Sequence, residues 1–189
     1  MTNQATMKAH HSLPEEPLSY LLDLETYGIK LGLEKIQILN AALDYPNRSF
    51  ASIVVAGTNG KGSVAAMLER GLRAAGYRTG LFTSPHLVDL SERITISGHP
   101  VNMTILTQTI SVIRNEINAL LRTGRFDSPP TFFEMLTAMA LSIFRLERVQ
   151  VAILEVGMGG RFDATNVVSP IAVAIPSIDI DHQPFLGNT

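Results

Sequence analysis

Residues 53–63 read Ile-Val-Val-Ala-Gly-Thr-Asn-Gly-Lys-Gly-Ser. The apolar β-branched run Ile53-Val54-Val55 breaks into a tight turn with glycines at 57, 60 and 62, and a helical stretch over 64–75 follows at once. Strand, glycine loop and helix in this order make a phosphate cradle. Glycines let the backbone come close to an anion, and a helix N-terminus points free N–H groups at it. Lys61 adds a point charge for the outer phosphates, and Ser63 a hydroxyl near any magnesium. The general P-loop pattern wants a glycine five residues before Gly60, where Val55 stands, so this loop is shorter than the common form. The competing reading is a glycine turn without a ligand, but such a turn has no need of Lys and Ser after its glycines.

Working outward, 189 residues suggest one domain or slightly more. A hydrophobic content of 46% and a positive mean hydropathy indicate a buried core rather than disorder. A net charge of −2 gives no electrostatic case for nucleic acid or an acidic membrane. The absence of cysteine excludes disulfides, thiolate catalysis and thiolate-bound zinc, and is compatible with a reducing cytosol. No apolar run reaches membrane-spanning length and the N-terminus lacks a signal peptide's apolar core, so a cytoplasmic protein is expected.

Residues 1–17 read as a flexible N-terminus, with His10-His11 too few for a metal site and without a carboxylate or thiol partner. An amphipathic helix carrying Leu18, Leu21, Leu22 and Leu24 is predicted to about Thr26, and a second over 32–43. Tyr27, Gly28 and Lys30 could approach a ligand, although no spacing requires it. A strand over 79–82 delivers Thr83-Ser84-Pro85-His86 to the edge of a parallel sheet where ligands bind. Ser84 either caps a turn or coordinates magnesium, and His86 reads as a hydrogen-bonded loop residue. Residues 92–98 alternate as a strand would, and 102–121 place Leu106, Ile110, Ile113, Ile117 and Leu120 at helical spacing. From 131 to 147 the chain is apolar nearly all round, a buried helix opened by a capping box of Thr131 and Glu134; the same two residues could equally serve a ligand.

Residues 149–156 and 171–178 read as buried strands of the same sheet. Glu155 ends the first. A lone buried carboxylate costs several kcal/mol, so its position implies a cation, either magnesium or a nearby arginine. The second ends in Asp179-Ile180-Asp181-His182, acids and an imidazole at the same sheet edge. The chain stops eleven residues after Ile178 with no helix to cover that strand, which suggests a truncated domain.

Taken together, GTNGKGS at 57–63, TSPHL at 83–87, SERI at 91–94, TFFE at 131–134, EVGMGGRFDATN at 155–166 and DH at 181–182 resemble the folylpolyglutamate synthase/dihydrofolate synthase family of Mur-ligase-type ATP-dependent amide-forming enzymes. The resemblance spans roughly 18–187, and the short P-loop is that family's usual form. It implies an α/β fold, a mainly parallel P-loop sheet flanked by helices, with residues 18–189 as the N-terminal part of the ATP-binding ligase domain. It implies that Gly57, Thr58, Asn59, Gly60 and Lys61, continuing through Gly62 and Ser63, hold ATP, with Lys61 catalytic. Ser84, Glu155 and His182 are implied as magnesium ligands. Thr131, Phe132, Phe133 and Glu134 with Phe162, Asp163 and Ala164 are implied as pterin-binding segments. The implied reaction phosphorylates a pteroate or folate carboxylate and lets L-glutamate displace phosphate, in a monomer.

The residues following His182 depart from the family's usual wording, and Lys61 is the last lysine, so the family's second-metal lysine is missing from the chain. A C-terminal domain that the family uses to close its site is missing too, so the 189 residues alone are expected not to catalyse ligation. A regulatory nucleotide switch, a non-catalytic nucleotide-binding remnant and another Mur-type ligase are the alternatives. Only 56 residues precede Gly57, too few for the substrate domain of a cell-wall Mur ligase.

Overall fold

The computed structural model describes residues 15–188. Most of the expected flexible N-terminus, His10 and His11 included, lies outside the described residues. Helix α1 (Glu15–Asp23) and a 3-10 turn (Leu24–Tyr27) lead to α2 (Glu34–Ala42). Strand β1 (Ala51–Val55) runs into α3 (Lys61–Ala74), then β2 (Thr79–Phe82), β3 (Ile94–Ile96) and β4 (His99–Pro100). The long helix α4 (Met103–Arg122) and α5 (Phe132–Leu146) precede β5 (Val151–Glu155), β6 (Ala172–Ala174) and the short α6 (Gln183–Leu186).

The six strands form one sheet in the order β4-β3-β2-β5-β1-β6. β2, β5, β1 and β6 are parallel, while β3 and β4 add an antiparallel margin. Successive strand residues face opposite sides, and β5 shows it: Ile153 packs with Val55 and Ala65 against α3, while Ala152 and Leu154 join the larger core of α1, α2, α4 and α5. The five α4 residues at helical spacing are all buried there.

Two expectations need correction. The strand expected over 92–98 begins only at Ile94, because Asp89 accepts the Ser91 N–H and Glu92 reaches back to the Asp89 N–H, winding 90–93 into a capped 3-10 turn. The buried strand expected over 171–178 is three residues long and lies at the sheet margin, paired to β1 alone, with Ile178 81% exposed.

Candidate functional site

Parallel pairing brings the C-terminal ends of β1, β2 and β5 to one edge of the sheet, and the polar segments gather there. The loop after β1 is tied down from outside. Thr58 N–H donates to the Ser177 carbonyl (2.8 Å), Asn59 N–H to Ser177 Oγ (3.2 Å), and Asp179 N–H to Thr58 Oγ1 (2.9 Å). Gly57 sits at φ +121°, and a Cβ there would stand 2.5 Å from the Ser177 carbonyl oxygen, so the glycine is needed for both conformation and clearance. Gly60 caps α3 in the left-handed region, and Lys61 Nζ folds back to donate to the carbonyls of Gly57 (2.9 Å) and Thr58 (3.2 Å). Gly62 and Ser63 follow in the first turn of α3, Ser63 exposed.

Glu155, 5% exposed at the end of β5, lies over that turn, its carboxylate oxygens 3.6 Å from where a Cβ on Gly62 would stand. It accepts the Ser84 backbone N–H at 3.1 Å. Burial pushes its carboxyl above the ordinary carboxylate value, against the pull of the Ser84 N–H and the Lys61 charge. It forms no ion pair with Arg161 among the described residues. Ser84 and Glu155 are thus brought together beside Lys61. Among the described residues His182 makes no ion pair with Glu155: it is exposed, its Nε2 is 3.5 Å from the Asp181 carboxylate, and it shares a different wall with Lys61. Among the described residues no three acidic, imidazole or thiol side chains cluster as a metal site. An oxygen donor pair of a buried carboxylate and a hydroxyl suits magnesium, which completes its shell with water and phosphate.

Two cavities meet at this edge. One, of about 520 Å³, is walled by the Gly57–Thr58 turn, Lys61, Asp179, Asp181 and His182. The other, about 260 Å³ and more apolar, is walled by Phe133, Phe162, Ala164, Ser84-Pro85 and the 28–32 segment. Gly157 and Met158 line both. In the smaller cavity Thr131 and Glu134 close a reciprocal box: Thr131 N–H donates to Glu134 Oε2 (2.7 Å), and Glu134 N–H to Thr131 Oγ1 (3.2 Å). Asp163, buried, accepts N–H groups of Met158 (2.9 Å) and Thr165 (3.0 Å), and burial raises its pKa despite these bonds.

Six of the seven residues implied for the pterin line this cavity. Phe132 does not. Neighbouring helix positions point about 100° apart, so with Phe133 turned inward Phe132 lies beneath Arg93 instead. Gly28 and Lys30 stand on the wall with Ile29, whereas Tyr27 does not. Ile29 and Leu31 are lining residues that the sequence did not single out, and Pro85 stood there only within the TSPHL stretch.

The chain is 41% identical over 164 residues to dihydrofolate synthase/folylpolyglutamate synthase of Bacillus subtilis, and 39% identical over 170 residues to that of Escherichia coli. These alignments cover 86% and 90% of the chain and 38% of each relative. The chain is homologous to part of the folylpolyglutamate/dihydrofolate synthases. The E. coli FolC structure in complex with DHPP and ADP superposes with a TM-score of 0.82 at 37% identity, over 92% of this chain and 41% of that one. The apo form of L. casei FPGS gives 0.87 at 34% identity, over 93% and 42%. No protein-family profile matches the chain. It therefore spans about two fifths of these synthases and shares their Mur-ligase-type N-terminal fold. No helix among the described residues is long and apolar enough to cross a membrane.

Proposed function

We propose that residues 18–189 are the N-terminal part of the ATP-binding domain of an ADP-forming ligase that joins L-glutamate to dihydropteroate, folates or both, in the cytoplasm and as a monomer. The observation that carries this reading is the pair of cavities sharing Gly157 and Met158, one beside a glycine loop with Lys61, the other aromatic and lined by buried acids. ATP fits the first through the amides at the start of α3 and the Lys61 charge. A flat pteridine fits between Phe133 and Phe162, with Asp163 and Thr131 beside it.

The reaction brings two anions together, the substrate carboxylate and the γ-phosphate. The carboxylate oxygen attacks phosphorus, ADP leaves, and the glutamate amine then displaces phosphate from the acyl carbon as the amide forms. Lys61 lowers the repulsion by holding charge beside the transferring group. Ser84 and Glu155 would hold magnesium, with His182 as the further ligand that the resemblance implies; bound there, the ion would neutralise phosphate charge. E. coli FolC, a relative of the chain, is known with DHPP and ADP, and that pairing supports the two-cavity assignment.

Calorimetric titration of the chain with Mg–ADP, Mg–GDP and dihydropteroate tests the reading. Expected are saturable binding of ADP in preference to GDP and of dihydropteroate at a separate site. Dihydropteroate that competes with ADP, or does not bind, overturns it.

A further inference from the structure

The SERI stretch at 91–94 has no part in the chemistry above, yet it contains a buried charge. Arg93 is 8% exposed and has no carboxylate within ion-pair distance among the described residues. A guanidinium in that position is tolerable only where its N–H groups and its flat face are used. Nε donates to His86 Nδ1 at 2.7 Å, and the guanidinium lies 5.5 Å from the centroid of the Phe132 ring. The Arg93 carbonyl accepts the Thr83 N–H at 3.0 Å. Burial lowers its pKa, opposed by the charge of Glu25.

These contacts map onto two walls of the smaller cavity. Thr83 and His86 flank Ser84-Pro85. Phe132 stands between Thr131 and Phe133. Arg93 itself does not line the cavity. Glu92 secures the far end of the same loop, accepting the N–H groups of Leu87 (2.8 Å), Val88 (3.2 Å) and Asp89 (2.9 Å).

We propose that Arg93 is a positioning residue, which fixes these two walls relative to one another and so sets the cavity's affinity for a flat heterocycle. The inference rests on the reading of that cavity as the pteridine site. Packing alone would not need a cation, since apolar replacements of buried charges are often neutral for stability. Positioning does need a donor, because only a donor can hold His86 Nδ1 while the same group lies over Phe132.

Arg93→Met, Arg93→Lys and His86→Leu are compared with the unaltered chain by titration with dihydropteroate, titration with Mg–ADP, and backbone amide exchange. Arg93→Met and His86→Leu are expected to weaken dihydropteroate binding roughly tenfold or more while ADP changes by less than about twofold. Exchange over 83–89 and 131–134 should speed up, with 57–63 unchanged. Arg93→Lys, which keeps the charge and loses the planar fork, should fall between. Unchanged dihydropteroate affinity in Arg93→Met, or equal loss of both ligands, overturns the inference. If the unaltered chain binds ADP but no dihydropteroate, the pteridine reading fails separately; exchange then decides for Arg93, and unchanged rates at 83–89 and 131–134 overturn it. Should Arg93→Met fail to fold, His86→Leu carries the same comparison.

Discussion

The Glu155 carboxylate, at the end of β5, accepts the backbone N–H of Ser84, at the end of β2, at 3.1 Å. Two adjacent parallel strands are thereby joined at the edge where the glycine loop begins. The bond gives a buried carboxylate one neutral donor, which is less than its charge needs in low dielectric, and leaves it in want of a cation.

That shortage has a measurable sign. Burial raises the pKa of Glu155 above 4.5, so the folded chain keeps this proton to higher pH than the unfolded chain does. Stability from this group therefore falls as pH rises from 4.5 through the raised folded value, and the loss persists above it. Asp163 acts with the same sign. Asp89 and Glu92, lowered by backbone N–H donors, act with the opposite sign, losing their contribution as pH falls through their folded values. The difference between Glu155→Gln and the unaltered chain isolates the first effect. In metal-free buffer the variant's Tm should match or exceed the parent near neutral pH and depend less on pH above 4.5. A variant that melts lower across the range would show that the carboxylate stabilises the fold.

Lys61→Ala removes the side chain that reaches back over the glycine loop to the carbonyls of Gly57 and Thr58. The loop keeps its ties to Ser177 and Asp179, so far-UV circular dichroism and Tm should change little. Nucleotide affinity should fall by roughly ten- to a hundredfold, the worth of a hydrogen bond to a charged group. Calorimetry with ADP checks this, and wild-type affinity would remove Lys61 from phosphate recognition.

Gly157→Ala tests the wall shared by the two cavities. The added Cβ would stand 2.7 Å from the Phe133 ring and 3.1 Å from Asp163 Oδ2. Overpacking of this kind costs about 1–3 kcal/mol, which urea denaturation would read as a lowered midpoint. Because the displaced ring lines the smaller cavity, dihydropteroate binding should weaken more than ADP binding.

Thr131→Ala breaks the capping box of α5. The loss should be about 1 kcal/mol of stability, largely restored by Thr131→Ser. If the threonine is a cap alone, dihydropteroate affinity will follow stability and recover with serine; a deficit that persists in Thr131→Ser would assign its methyl group to the ligand.

The glycine loop, the α4 stripe and the Thr131–Glu134 box were legible because each is a local pattern. His86 also read correctly as a hydrogen-bonded loop residue, although its donor, Arg93, was read as part of a strand. Residues 171–178 misled for a physical reason. A β-branched apolar run has the same pattern on a marginal strand as in the middle of a sheet, and only pairing reveals that β6 has a single neighbour. Arg93 and Pro85 stood in the SERI and TSPHL stretches without a role of their own, because their significance lies in what surrounds them. No spacing in the sequence reports that Phe132 and His86 converge on one guanidinium.

Gly157 and Met158 serve as a party wall between the two cavities. Whatever shifts that dipeptide when one ligand enters changes the room and the rigidity met by the other. Any linkage between the two occupancies would be reciprocal: the factor by which a nucleotide altered pteridine affinity would equal the factor by which the pteridine altered nucleotide affinity. With a tight glycine at 157, such a factor would pass through two residues that line both cavities.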